Sequence, residues 1–371
     1  MMLFPSLLAF LFLILVANIS DAVPVNTTTS VSELTPVIEV LCVVDYSTYR
    51  LHSEGKNPTK VEESMKYYYS AFWKTVDIYF QQLNIKIVLK DVIIARNKFE
   101  DNHYLKVNKN RIGTNGLSFD LLNTFGKHLY YNKSLHNHDI AVYITQFDIC
   151  QDVKANNSCE VKKDVITFKN EICKIKHDIS MSHSVAMITD KKNIFTGIRN
   201  AVFAIGNLLG ISKDGEYGAK KCKSEHGYFM SGNIDFASPY KFQWSKCSIN
   251  SIKKTLKSLS SSDTLSCLFK KSKKKEINLS KAPLPGQLIP IDDYCEQITS
   301  YKSRIYTSYQ CTELACRYGD DDESIIKGPA IEGSWCWDQK RCSLGKCVDY
   351  GLSDDQRFWN DFDELYIPKP I

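Results

Sequence analysis

Residues 200–215 read Asn-Ala-Val-Phe-Ala-Ile-Gly-Asn-Leu-Leu-Gly-Ile-Ser-Lys-Asp-Gly. On a helix, positions 203 and 207 lie one turn apart and face the same way. A glycine at 210 lets the chain turn sharply, so that position 213 can come back toward them. Two imidazoles at such a spacing, a carboxylate beside the first and a third imidazole after the turn would hold Zn²⁺ and activate a water. The chain keeps that frame in Gly206, Gly210 and Asp214-Gly215. At those four spaced positions the chain has Phe203, Ala204, Asn207 and Lys213, which supply neither imidazole nor carboxylate. Taken alone, the stretch also reads as an ordinary amphipathic helix with two glycines.

The elements around it are those of a layered α/β domain. Residues 37–45 are a buried-strand pattern. Pro58 opens a long helix with Val61, Met65, Tyr68, Tyr69, Phe72 and Val76 on one face. Residues 85–94 alternate as a half-buried strand. A helical pattern over 117–130, a strand at 139–145 and a short strand at 184–189 follow, the last as an edge. Strand, helix, strand, helix, strand implies an α/β layer fold.

The first 22 of 371 residues read as a secretory signal, with an apolar run over 7–16 and Ser20-x-Ala22 as a small-residue cleavage site, though without a charged n-region. The run is too short for a membrane anchor, and no later stretch is apolar enough to span. Residues 23–36 form a loose leader. Thirteen cysteines in an exported chain imply disulfides. Odd parity leaves one over; Cys42, inside an apolar strand, reads as the free thiol, and the other twelve could close six bridges. Asn26, Asn132, Asn156 and Asn278 head glycosylation triplets. The net charge of +5 is local, in the cluster Lys270, Lys271, Lys273, Lys274 and Lys275, and nucleic acid is a poor partner for such an exported chain. Residues 271–290 read as a basic linker. Residues 291–350 form a small unit too poor in apolar residues to fold without staples, and 351–371 an acidic, aromatic tail.

Together these pieces resemble the reprolysin (adamalysin) metzincins. They look closest to the group with a disintegrin-like domain and thrombospondin motifs and to metalloproteinases of arthropod venom and saliva. The residues that carry the resemblance are Glu39…Asp45, His138-Asp139 with its strand and Asp148-x-Cys150, Phe195-Thr196, and the helix frame. Beyond it come Met230 at the Met-turn position, Gln243-Trp244-Ser245-Lys246-Cys247, Cys267-Leu268, Leu284-Pro285-Gly286 and Gly345-Lys346-Cys347. The resemblance implies a metzincin-like catalytic-domain fold over 37–270, with a mixed, mainly parallel sheet, followed by a disulfide-rich disintegrin-like domain. It implies the pairs Cys150–Cys159, Cys173–Cys267, Cys222–Cys247, Cys295–Cys316, Cys311–Cys342 and Cys336–Cys347. A large pro-domain and thrombospondin repeats are not found in the sequence.

The same resemblance sets the functional expectation. With Phe203, Ala204, Asn207 and Lys213 in place of three ligands and a base, no catalytic metal or other cofactor is expected, and the chain reads as an inactive homologue. It would be secreted, monomeric and act by binding an extracellular protein or cell-surface target, as a decoy, antagonist or venom or salivary factor. The alternatives are an active metalloendopeptidase with non-standard ligands, or a toxic or structural component without a specific partner. The strand at 184–189 would offer its edge to a partner peptide. The family's structural calcium site falls on Glu39, Asp139, Cys267 and Lys270, which suggests the Lys270 ammonium as a replacement for that ion.

Overall fold

The computed structural model describes residues 35–53, 57–132, 135, 137–191, 194–232, 238, 240–259, 267–269, 276–299, 308–317, 324–326, 328–337 and 340–349. The signal, the leader up to residue 34, Asn26, Lys270 and the tail lie outside them.

In chain order the α/β body contains β1 (Val37–Val44), α1 (Tyr46–Ser53), α2 (Pro58–Gln81), β2 (Lys86–Ile94) and α3 (Lys98–Leu105). Then come β3 (Arg111–Ile112), β4 (Gly116–Ser118), α4 (Leu121–Tyr131), β5 (Ile140–Thr145), β6 (Asp148–Val153), β7 (Cys159–Lys163) and β8 (Val165–Thr167). The short pair β9 (Ile175–Lys176) and β10 (Met181–Ser182) precedes β11 (Val185–Thr189), α5 (Gly197–Leu208) and α6 (Lys246–Leu259).

A five-stranded sheet in the order β2-β1-β5-β11-β8 organises the body. The first four strands are parallel and β8 pairs antiparallel with β11. Every residue of β1 is buried because both faces of the sheet are covered. Ile38, Val40, Cys42 and Val44 point to one face and pack with α2 and α5. Leu41 and Val43 point to the other and pack with Leu121, Leu122 and Phe125 of α4. Helix α2 starts where Pro58 presets φ and the Asn57 side chain accepts from the Thr59 N–H at 3.0 Å. Its inner face delivers Met65, Tyr69, Phe72, Trp73 and Phe80, all fully buried. Cys42 is the free thiol among the described residues, and burial pushes it up to about 12.

Two expectations change. The edge strand is β8, not residues 184–189: β11 lies between β5 and β8, and Val185 and Met187 are buried. Val165–Thr167 is three residues long, among lysines, and too short to leave a periodic signal. Residues 276–290 are not a free linker either. Ile277 bridges to Leu89 of β2, and Ala282, Leu284 and Ile289 are buried. Their apolar side chains outweigh the lysine-rich composition around them.

The second unit contains α7 (Ile291–Thr299), the hairpin β12 (Ala315–Arg317) and β13 (Ser324–Ile326), and a sheet of β14 (Trp335–Trp337), β15 (Lys340–Ser343) and β16 (Lys346–Asp349). It is sewn by Cys295–Cys316, Cys311–Cys342 and Cys336–Cys347. Cys150–Cys159, Cys173–Cys267 and Cys222–Cys247 cross-link the body. The turn at Gly286 approaches the second unit so closely that a Cβ there would lie 2.0 Å from the Ser334 nitrogen. The Gly286 N–H donates to the Glu332 carbonyl at 2.8 Å.

Candidate functional site

Helix α5 is anchored at its start by a buried carboxylate. Asp190 accepts from the Gly197 N–H at 2.8 Å and from the Tyr68 hydroxyl at 3.0 Å. That hydroxyl in turn accepts from the Phe195 N–H at 2.7 Å, and the two rings stack at 3.9 Å. Burial raises Asp190 to about 6 against these hydrogen bonds. The helix ends as the sequence predicts: Gly210 has φ of 83°, and the Ile211 N–H donates to the Gly206 carbonyl at 2.9 Å.

Met230 lies directly under the helix. A Cβ on Gly206 would come within 2.7 Å of its sulfur, so the glycine is what lets the two segments meet. The Asp214 N–H donates to the Met230 carbonyl at 3.1 Å, and its carboxylate accepts from the Ser245 hydroxyl at 2.7 Å. These bonds fix the turn that follows the helix.

The four positions singled out by the metzincin resemblance divide as follows. Ala204 faces the core and is fully buried. Phe203 and Asn207 are half-buried. Lys213 comes back over the helix, with its ammonium 5.7 Å from the centre of the Phe203 ring and 3.6 Å from Glu216. Beyond the turn, Tyr228 and Tyr240 stack at 4.9 Å beside His226.

A second cluster forms near the starts of β1 and β5, beside the middle of β2. The Glu39 N–H donates to the Asp139 carboxylate at 2.8 Å. The Glu39 carboxylate meets the Lys90 ammonium at 3.2 Å, with both side chains buried. Burial first, then the Glu39 charge, raises Asp139 to about 7, and the Lys90 charge opposes this. Sequence reasoning placed Glu39 and Asp139 together and missed Lys90. The signal was a lysine inside an otherwise apolar strand. The β1–β2 register shifts between Val40 and Leu41, so Leu89 faces Val40, Asp91 faces Leu41 and Lys90 is the extra residue of a bulge. A bulge re-aims its side chain, here toward Glu39.

Three groups of potential metal ligands occur among the described residues: Asp139 with Cys173 and Cys267, Asp214 with Cys222 and Cys247, and Cys311 with Cys336 and Cys347. All their cysteines are in disulfides and offer no thiolate. Of the glycosylation candidates, Asn156 and Asn278 are exposed and Asn132 is half-buried. No helix among the described residues is long and apolar enough to cross a membrane.

Residues 285–348 match the family model described as ADAMTS cysteine-rich domain 2. The chain is 32% identical over 323 residues, 84% of its length, to a Bombyx mori protein called "A disintegrin and metalloproteinase with thrombospondin motifs like", and covers 44% of that protein. It is 26% identical over 232 residues, 59% of its length, to human "A disintegrin and metalloproteinase with thrombospondin motifs 18", covering 17% of it. It is 24% identical over 225 residues, 57% of its length, to "Venom metalloproteinase 3" of Eulophus pennicornis, covering 47% of it. The chain thus spans less than half the length of each of these relatives. With the α/β body and the stapled unit in the same order along the chain, these likenesses make it a relative of the reprolysin and ADAMTS type of metalloproteinase.

Proposed function

We propose that the chain is a secreted metalloproteinase relative with a metzincin-type body that has no proteolytic activity and acts by binding an extracellular protein or cell-surface target. The observation that carries this is the set of side chains at positions 203, 204 and 207 of α5 and at 213 in the turn after it. Zinc hydrolysis needs neutral nitrogen or anionic oxygen or sulfur donors and a base. Phe203 has no donor atom and Ala204 no base, Asn207 offers only a weak amide oxygen, and Lys213 brings a cation to where a metal would sit. These residues do not fit zinc, and no step is assigned to it. Twelve cysteines in six bridges support an oxidising, extracellular setting. The short edge strand β8, one position from α5's own strand β11, is the surface on which a partner strand would add.

Elemental analysis of the purified chain, paired with a mixed-peptide cleavage assay, tests the reading. The expected result is no stoichiometric zinc and no cleavage. A zinc-to-protein ratio near one, or proteolysis abolished by a chelator, would establish instead an active metalloendopeptidase with non-standard ligands.

A further inference from the structure

The central sheet reverses its winding at β1. The chain leaves β1 for β2 on one side, and its next sheet strand, β5, returns on the other side of β1. At such a point the loops after the two neighbouring strands diverge, and open α/β sheets bind ligands in the crevice outside those carboxyl ends. A cavity of about 600 Å³ lies there. Its floor is formed by Tyr46 and Ser47 after β1 and by Gln146 and Phe147 after β5, and α3 and the β3–β4 turn close over it. The volume is that of a small-molecule site.

The polar groups are unevenly satisfied. Asp45, at the end of β1, has both oxygens engaged, by the Ser47 hydroxyl at 2.7 and 2.8 Å, the Thr48 N–H at 2.9 Å and the Thr145 hydroxyl at 2.6 Å. It is part of the scaffold. Asp101 on α3 lines the cavity and is 6% exposed, and its carboxyl faces the buried Tyr143 hydroxyl and the Tyr46 backbone N–H. Burial, followed by the Asp45 charge, raises its carboxyl well above the ordinary carboxylate range.

The charged groups in the rest of the lining are Arg50, Lys98, Arg111, Lys191 and Asp148. Asp148 is already bound by Lys162 and Lys191, each at 2.6 Å. Arg50 and Lys98 line the rim, are exposed, and have no acidic partner among the described residues. Arg111 lies 4.0 Å over the Phe147 ring and occupies the aromatic face on which a base could otherwise stack. Between the cations the wall offers hydroxyl and amide groups from Thr114, Asn108 and Asn115.

We propose that this crevice binds a small hydroxylated carboxylate, a sugar acid, with Arg50, Lys98 and Arg111 around its carboxylate and Asp101 on its hydroxyls. The occupied Phe147 face disfavours nucleotides, and the hydroxyl and amide groups of the wall give a sugar's hydroxyls partners that a bare inorganic anion lacks the groups to use. The proposal is independent of whether the chain cleaves peptides.

Isothermal titration of the full chain in chloride buffer with glucuronate, glucose, glucose 6-sulfate and inorganic sulfate tests it. Glucuronate is expected to bind at millimolar concentration or better and glucose not to. Arg50→Glu combined with Lys98→Glu, both exposed, is expected to weaken glucuronate about tenfold or more without moving the melting temperature. Asp101→Asn is expected to weaken it as well. The proposal is overturned if glucuronate fails to bind, if the charge-reversed double variant binds it as tightly as the parent, or if inorganic sulfate or glucose 6-sulfate binds as well as glucuronate.

Discussion

The α/β body and the cysteine-rich unit solve the same problem by different means. In the body, β1 is covered on both faces, and aromatic side chains from α2 and aliphatic ones from α5 fill one of them. Its three disulfides lie around that core. In the cysteine-rich unit the buried cluster is Ile291, Leu314 and Ala330 with Cys295, Cys311, Cys316, Cys336 and Cys342. There the staples are most of the core. A chain segment of this size buries too little apolar surface to offset its conformational entropy, so cross-links must lower the entropy of its unfolded state. Cross-linking supplements the one region and defines the other.

The largest expected effect follows from that contrast. Reduction of all six bridges should open residues 291–349 to protease while the five-stranded sheet keeps its far-ultraviolet circular dichroism signal. Limited proteolysis with mass mapping reads both regions at once. Cleavage within the sheet before the cysteine-rich unit would reverse the comparison. Next in size, Trp73→Ala, at a fully buried position of α2, should cost about 3–5 kcal/mol in urea unfolding of the body. It should leave the pairing of Cys311 with Cys342 intact by mass spectrometry.

The difference also decides what could be read from sequence. The body's long elements were legible because their apolar positions repeat: Val61, Met65, Phe72 and Val76 at helical spacing, and an unbroken apolar run in β1. Short elements were not. Tyr46–Ser53 has too few apolar residues to show a period, and Val165–Thr167 too few residues of any kind. The edge was misplaced because β11 and an edge strand look alike until the partner strand is known. At the candidate site, the frame of Gly206, Gly210 and Met230 was legible only through the family resemblance, and its physical reason, that a Cβ at 206 would strike the Met230 sulfur, shows in the structure. The Glu39–Lys90 pair was not, since it depends on a one-residue register shift that no local pattern reveals.

That pair offers the next test, because it is a buried polar device inside the region held by apolar packing. Lys90→Met should cost about 3 kcal/mol, since it removes the buried ammonium 3.2 Å from the Glu39 carboxylate. Asp139→Asn should act through pH. Asp139 is raised to about 7, so its folded form holds a proton that the unfolded chain gives up near the ordinary carboxylate value of about 4. The contribution is fully present below about pH 4 and is lost as pH rises through 7. Asp190, at about 6, and Glu332, at about 7, have the same sign. Asp148 and Glu100, both lowered by their cation partners against burial, have the opposite sign. Urea midpoints at pH 5 and pH 8 should show Asp139→Asn removing about 1–3 kcal/mol of the decline between them. An unchanged decline would mean that the carboxyl is not protonated in the folded protein.

The smallest effect is expected at Lys213, which comes back over α5 from the turn after it and belongs to neither scheme. Lys213 is 40% exposed along its side chain, and its partner Glu216 is 58% exposed. An ion pair in that setting is screened by water and contributes little. Its ammonium sits 5.7 Å from the Phe203 ring centre, near the outer limit for a cation over an aromatic face, where such contacts give about 0.5–1 kcal/mol. Lys213→Ala should therefore lower stability by no more than about 1 kcal/mol. The turn itself is held by backbone bonds from Gly210, Ile211 and Asp214 that do not involve the lysine side chain. Phe203→Ala should cost more, because the ring packs against the body's core. If Lys213→Ala instead cost as much as Trp73→Ala, the lysine would be a structural keystone of the helix end. The turn after α5 would then belong with the buried scaffold rather than stand as an exposed surface free to meet a partner.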